Sequence, residues 1–153
     1  MSCRHIASRS PLCALALLAL ASASHAAVVT VAADKVIRVD GEPFFPIMQW
    51  AQCGWRVADQ RALGINTFVG NGCSGDTSAE FLDDCQAAGA WGVVNPGDMS
   101  VVSHPALLGW VFGDEPDLES HQVEPVDIQS EHDAIVAADP DHITFLTVTA
   151  RFY

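Results

Sequence analysis

Apolar residues fall along this chain in short runs, and the polar residues between them carry turn and cap signals. VIRVDGEPFF (residues 36–45) sets two apolar-rich runs around Asp40-Gly41. Asp-Gly is a favoured two-residue hairpin turn because glycine accepts the positive φ of a type I′ turn. A β-hairpin is therefore predicted here. PIMQW (46–50) follows as a strand-like run, and VADQRALG (57–64) as a short helix closed by a glycine that tolerates a left-handed cap. INTFVGN (65–71) reads as a second strand. TSAEFLDDCQAAGAW (77–91) opens with a capping box, in which Thr77 caps the helix and Glu80 reaches back. Phe81, Leu82 and Cys85 then share one helical face. GVVNPGD (92–98) is a third strand with a Pro-Gly stop, and HPALLGWVFGDEP (104–116) holds a tight turn and a fourth strand. PVDIQSEHDAIVAADPD (125–141) predicts a helix capped by Asp127 and halted before Pro140, and HITFLTVTARF (142–152) a fifth strand.

Strands alternating with helical segments indicate parallel pairing through crossovers. The strands are nearly continuous apolar runs, as expected when both faces are covered. Two architectures fit, an open doubly wound sheet and the opening of a (β/α)8 barrel. A dinucleotide-binding sheet would carry GxGxxG after its first strand, where this chain reads AQCGWR (51–56). Polar and aromatic residues gather after the strands: Gln49, Trp50 and Trp55, then Asn71, Asn95 and Asp98, Asp114 and Glu115, and Arg151 and Tyr153. Barrel enzymes build their sites at that C-terminal rim.

Composition narrows the partners. Half of the 153 residues are apolar, which is a globular composition, and the formal net charge is −12. With no basic patch to neutralise phosphates, nucleic acid is not an expected partner, and neither is an anionic membrane. Neutral partners such as sugars are unaffected by this balance.

The N-terminus reads as a leader. MSCRHIASRS carries Arg4 and Arg9 and no acid, PLCALALLALASA is an apolar core, and Ser24 and Ala26 have the spacing that a signal peptidase reads. Residues 1–26 are thus expected to be a signal peptide, and 27–153 the mature part of a secreted or periplasmic protein. That part carries 5 basic against 19 acidic residues, a net charge of −14. It keeps Cys53, Cys73 and Cys85, which in an oxidising compartment allows one disulfide and one free thiol. Cys53 and Cys73 each follow a predicted strand and are the expected pair. No CxxC occurs, His121 and His132 lack helical ligand spacing, and DEPDLES (114–120) lacks the glycine-punctuated spacing of a calcium loop. No metal and no cofactor is expected.

The segment GWVFGDEPD (109–117) poses the chemical question. An apolar run breaks off at Gly113, and an acid pair follows before Pro116. VDGEPFFPIMQW resembles the entry hairpin and first strand of many (β/α)8 glycoside hydrolases, LGINTFVGN their second strand, and HPALLGWVFGDEP their fourth. The large clan of retaining glycosidases with this barrel carries its acid/base glutamate at the end of the fourth strand, usually as Asn-Glu-Pro. Here the tripeptide is Asp114-Glu115-Pro116, and the resemblance covers roughly residues 35–153.

This resemblance implies a carbohydrate substrate and a partial (β/α)8 TIM-type barrel, about the first five strands, behind a short β-hairpin. It makes Glu115 the proton donor and acceptor. Trp50, Asn71, Asp98 and Asp114 become substrate-binding candidates, with Trp50 as a stacking face for a pyranose. Each has a plainer reading: a solvated strand-end glutamate, a core tryptophan, an Asn-Gly turn, a turn aspartate beside Gly97. Trp110 and His104 are weaker candidates still, as core and loop residues. Asp114 departs from the family's asparagine and, when ionised, accepts hydrogen bonds but does not donate them.

Retaining cleavage needs two carboxyl groups about 5 Å apart, and the clan's nucleophile lies on the seventh strand. The chain reaches about the fifth, so 27–153 is expected to be the N-terminal portion of such an enzyme, without the nucleophile. The alternative is a non-catalytic carbohydrate-binding or self-associating half-barrel, a homodimer through its open sheet edges.

Overall fold

The computed structural model describes residues 25–73 and 75–149. The expected leader lies outside the described residues except for His25 and Ala26, and so do Arg151 and Tyr153. The fold is mixed α/β. A three-stranded antiparallel sheet comprises β1 (Val29–Val31), β2 (Ile37–Val39) and β3 (Glu42–Phe44). A five-stranded parallel sheet follows, built from β4 (Met48–Gln52), β5 (Thr67–Asn71), β6 (Trp91–Val94), β7 (Leu107–Val111) and β8 (Ile143–Phe145). Its strands lie side by side in chain order. The crossovers carry α1 (Val57–Ala62), α2 (Ser78–Ala87) and α3 (Pro125–Ala138).

Local chemistry explains most boundaries. Asp40 and Gly41 both have positive φ, 51° and 85°, as the predicted type I′ turn between β2 and β3 requires. The Thr77 hydroxyl accepts from Glu80 N, and the Glu80 carboxylate accepts from Thr77 N, which closes the predicted capping box on α2. These bonds, first the backbone one from Thr77, hold the Glu80 carboxyl below its ordinary pKa.

The helices pack on one face of the parallel sheet. Phe81, Leu82 and Cys85 of α2, Val57 of α1 and Ile135 of α3 share a core with Phe68, Val94, Leu107 and Trp110. The small antiparallel sheet covers the other face. Val29, Ile37, Val39 and Phe44 pack against Val69, Val93, Leu108 and Val111. All five residues of β7 are buried, which is why that segment reads as an unbroken apolar run. Fully burying side chains of this size contributes about 1.5–3 kcal/mol each. Trp110 belongs to this core, with its indole Nε1 donating to buried Asp139 at 2.7 Å, and is no sugar platform.

Three expectations need correction. Asp127 does not cap α3. The helix begins at Pro125 with Glu124 as its N-cap, because proline's fixed φ suits the first helical position. Asp127 sits instead in the first turn, where its charge complements the helix dipole. The first parallel strand is Met48–Gln52, two residues later than PIMQW suggests. The fifth is only Ile143–Phe145. Beyond it the chain leaves the ladder, since Thr147 and Thr149 bond to the side chains of Asp114 and Asp117.

Candidate functional site

All five parallel strands point their C-terminal ends to one rim, and that rim carries Asn71, Asn95, Asp98, Asp114 and Glu115, with Trp50 near the end of β4. Register fixes which face each residue shares. Trp50 pairs with Val69, and Val69 with Val93, so Trp50 lies on the face that the antiparallel sheet covers lower down. The residue is 42 % exposed. Asn71 stands in register with Gln52 at the end of the neighbouring strand.

The end of β4 is tied to the end of β5. Cys53 and Cys73 form a disulfide across a Cα–Cα distance of 5.1 Å, the pairing expected from their places after two strands. Gly72 N donates to Gln52 O at 2.8 Å, and a Cβ at Gly72 would run into the Ala51 carbonyl, so glycine is required there. Ala51 itself takes φ 51°, a conformation unfavourable for a residue with a Cβ. Behind the bridge, Gly54–Arg56 forms a single 3-10 turn that presents Trp55 to solvent. Cys85 is the free thiol. It is buried in the helix-side core, and loss of hydration pushes its pKa up to about 12.

The acid pair follows β7. Phe112 is still buried; Gly113 and Asp114 are exposed, Glu115 is half-buried and Pro116 is buried again. The segment makes a tight excursion held from three sides. The Thr147 hydroxyl donates to Asp114 Oδ1 at 3.0 Å, and Glu115 N lies 3.4 Å from the same hydroxyl oxygen. The Asp114 carbonyl is 3.0 Å from His121 Nε2, where the protonated ring nitrogen donates. Leu118 N donates to the Glu115 carbonyl at 2.9 Å. Glu115 adopts φ 45°, in the left-handed region. Among the described residues no hydrogen bond or ion pair engages its carboxylate. A half-buried, unengaged carboxyl on a strained, tethered loop can exchange a proton with a bound molecule.

Asp117 is the neighbour that sequence reading missed as part of the site. Its carboxylate accepts from the Thr149 hydroxyl at 2.6 Å and from Thr149 N at 2.8 Å. These bonds, the hydroxyl's first, hold the Asp117 carboxyl below its ordinary pKa. The threonine alternation in TVT (147–149) was the available signal, since two threonines past a strand can each face a carboxylate on the preceding loop.

The other candidates are placed differently. Asp98 accepts from the Ser100 hydroxyl at 2.6 Å and from Ser100 N at 3.1 Å, so it caps the 3-10 turn Met99–Val101. The same bonds lower its pKa. That is the turn role, at the rim but already bonded. His104 is likewise engaged, with Nε2 3.2 Å from Asp83. Asp114 has one carboxylate oxygen bonded to Thr147, so its first task is to position the loop.

Two cavities lie behind the acid loop, on the helix side of the sheet. One of about 460 Å³ is lined by Phe112, Asp117, Ile128, His132, Leu146 and Val148 among others. The second, about 380 Å³, is bordered by Asp114, His121 and Glu131. Among the described residues no group of three His, Cys, Asp or Glu side chains is placed to hold a metal ion, and no helix is long and apolar enough to cross a membrane. No protein-family profile, curated protein or solved structure matches the chain.

Proposed function

We propose that this chain carries the acid/base corner of a secreted retaining glycoside hydrolase, and that its five parallel strands are the opening of a (β/α)8 barrel. The observation that carries the reading is the placement of Glu115. It sits just past the C-terminal end of the fourth parallel strand, half-buried, with a left-handed backbone and a carboxylate that no described residue engages. The chain-order strand arrangement supports the barrel, as does the segregation of helices to one face of the sheet. A doubly wound sheet would place helices on both faces. The Cys53–Cys73 bridge supports an oxidising compartment.

In this reading Glu115 protonates the leaving glycosidic oxygen and later takes a proton from the attacking water. A second carboxylate, from a strand beyond β8 in the barrel order, attacks the anomeric carbon. Acid/base help of this kind contributes about 10²–10⁴ in rate. Glu115→Gln should cut hydrolysis of unactivated oligosaccharides by a factor in that range. Nitrophenyl glycosides, whose leaving groups need no proton, should lose far less in the glycosylation step. Equal rates for wild type and variant on unactivated substrates would sink the assignment.

A second reading has its own support. Among the described residues the parallel sheet is open along β4 and β8, and Leu146 and Val148 are exposed beside the larger cavity. Open edges invite pairing, so two copies could associate as non-catalytic half-barrels that bind sugar. Sedimentation equilibrium decides between them: a monodisperse monomer excludes the self-associating form.

A further inference from the structure

Trp55 is 71 % exposed, although tryptophan is among the most buried residue types on average. Its exposure is not that of a loose loop. The residue sits on the 3-10 turn Gly54–Arg56, directly after the bridged Cys53. Gly54 is buried against Asp84 so closely that a Cβ would strike the carboxylate, and Gly54 N lies 3.4 Å from the Asp76 carboxylate. Arg56 N donates back to the Cys53 carbonyl at 3.0 Å. One side of the indole is covered by the Arg56 guanidinium, 5.2 Å from the ring centroid. With the residue mostly exposed, the opposite face is left to solvent. An aromatic face carried on a fixed backbone turn loses less entropy when a ligand settles on it than one on a free loop.

We propose that Trp55 is a stacking platform for a pyranose unit of a neutral oligo- or polysaccharide, with Arg56 backing the indole on its other face. This rests on the glycosidase reading of the rim. An indole face suits the C–H face of a sugar ring, and the Arg56 guanidinium over the opposite face leaves one face for the ligand. Charge selects the class. The part after the expected leader carries 5 basic against 19 acidic residues, which disfavours polyanionic glycans, nucleic acid and anionic lipid alike. Position selects the length. Trp55 follows the first parallel strand and Glu115 the fourth, so the strands that carry them lie three spacings apart, roughly 14 Å. A monosaccharide does not span that distance, and an oligosaccharide does.

The test is affinity electrophoresis of the chain in native gels containing a mixed-linkage β-glucan, a neutral xylan, a galactomannan or a xyloglucan. Polygalacturonate serves as the anionic probe. At least one neutral polymer should retard the wild type, and polygalacturonate should not. Trp55→Ala should weaken that retardation about tenfold or more, the loss of one stacked ring. Trp55→Phe should keep most of it, and Leu63→Ala, at an equally exposed apolar position, should change nothing. Four findings would each overturn the platform: no retardation by any neutral polymer, Trp55→Ala binding like wild type, Leu63→Ala losing as much, or stronger binding of polygalacturonate. Because retardation needs no turnover, the result is separate from the Glu115→Gln assay, and either reading can fail alone.

Discussion

Opening the Cys53–Cys73 bridge tests the link between fold and rim. The two residues are 20 positions apart. Closing a loop of that length removes unfolded-state entropy worth about 3 kcal/mol at 25 °C. For a fold of this size the unfolding entropy is roughly 0.26 kcal/mol per kelvin, so the midpoint should fall by roughly 10–12 °C. The perturbation is a Cys53→Ser, Cys73→Ser double variant, with reduction of the wild type by a phosphine as a second route to the same state. Calorimetry reads the midpoint, and peptide mapping by mass spectrometry checks the pairing. Cys85 is an internal control: buried, with its thiol pushed up to about 12, it should resist alkylation at pH 8 until the protein unfolds. A midpoint within 3 °C of wild type, with the bridge verified beforehand, would refute the entropic argument. A map that finds Cys85 in the bridge would refute the pairing.

Three further outcomes follow from the same structure. Trp110→Phe removes the 2.7 Å indole bond to Asp139 and leaves a void in the helix-side core, so urea unfolding should show a loss of about 2–4 kcal/mol with an unchanged slope; a loss below 1 kcal/mol contradicts the packing described. The Asp117 carboxyl, lowered by Thr149, should titrate below 3.8 in carbon-detected NMR. Because its folded pKa lies under the unfolded one, its stabilisation is present above 3.8 and fades as pH falls through the folded value, and Thr149→Val should move the midpoint up. Glu115→Gly relieves a left-handed φ and should raise the thermal midpoint slightly; a lowered midpoint would show that the side chain supports the fold rather than straining it.

Elements governed by local chemistry were legible in the sequence. The Asp40-Gly41 turn, the Thr77/Glu80 box and the Phe81, Leu82, Cys85 face each depend on residues within a few positions of one another. The disulfide was legible because two cysteines followed two predicted strands, and neighbouring parallel strands bring such positions together. What could not be read was decided by tertiary partners. HITFLTVTARF has the composition of a long strand, yet among its described residues only Ile143–Phe145 pairs, because Asp114 and Asp117 from the preceding crossover capture the threonines. Strand β1, VTV, is too short to show a period, and it forms because Ile37–Val39 offers it an edge. Asp98 was legible as a polar residue after a strand, but its bonds to Ser100 set its role.

The distribution of constraints argues for a working surface at the rim, whatever its chemistry. Stability alone is served by the core, where burial does the stabilising. Loops past strand ends bury little, and tethering them contributes little to the fold beyond the bridge itself. Yet the C-terminal rim holds the disulfide, the Gly72 contact with Ala51, and the Thr147 and Thr149 clamps on Asp114 and Asp117. It also holds Ala51 and Glu115, two of the four non-glycine residues with positive φ among the described residues. The other two, Lys35 and Asp40, lie in turns of the antiparallel sheet, where such φ values are ordinary. Strain of about 1–3 kcal/mol at a single residue persists only where the surroundings over-determine it. Glu115 is over-determined, with Thr147 at its amide and Leu118 at its carbonyl. A chain that fixes a glutamate backbone so firmly, with no described residue engaging the carboxylate, leaves that group available to a bound molecule.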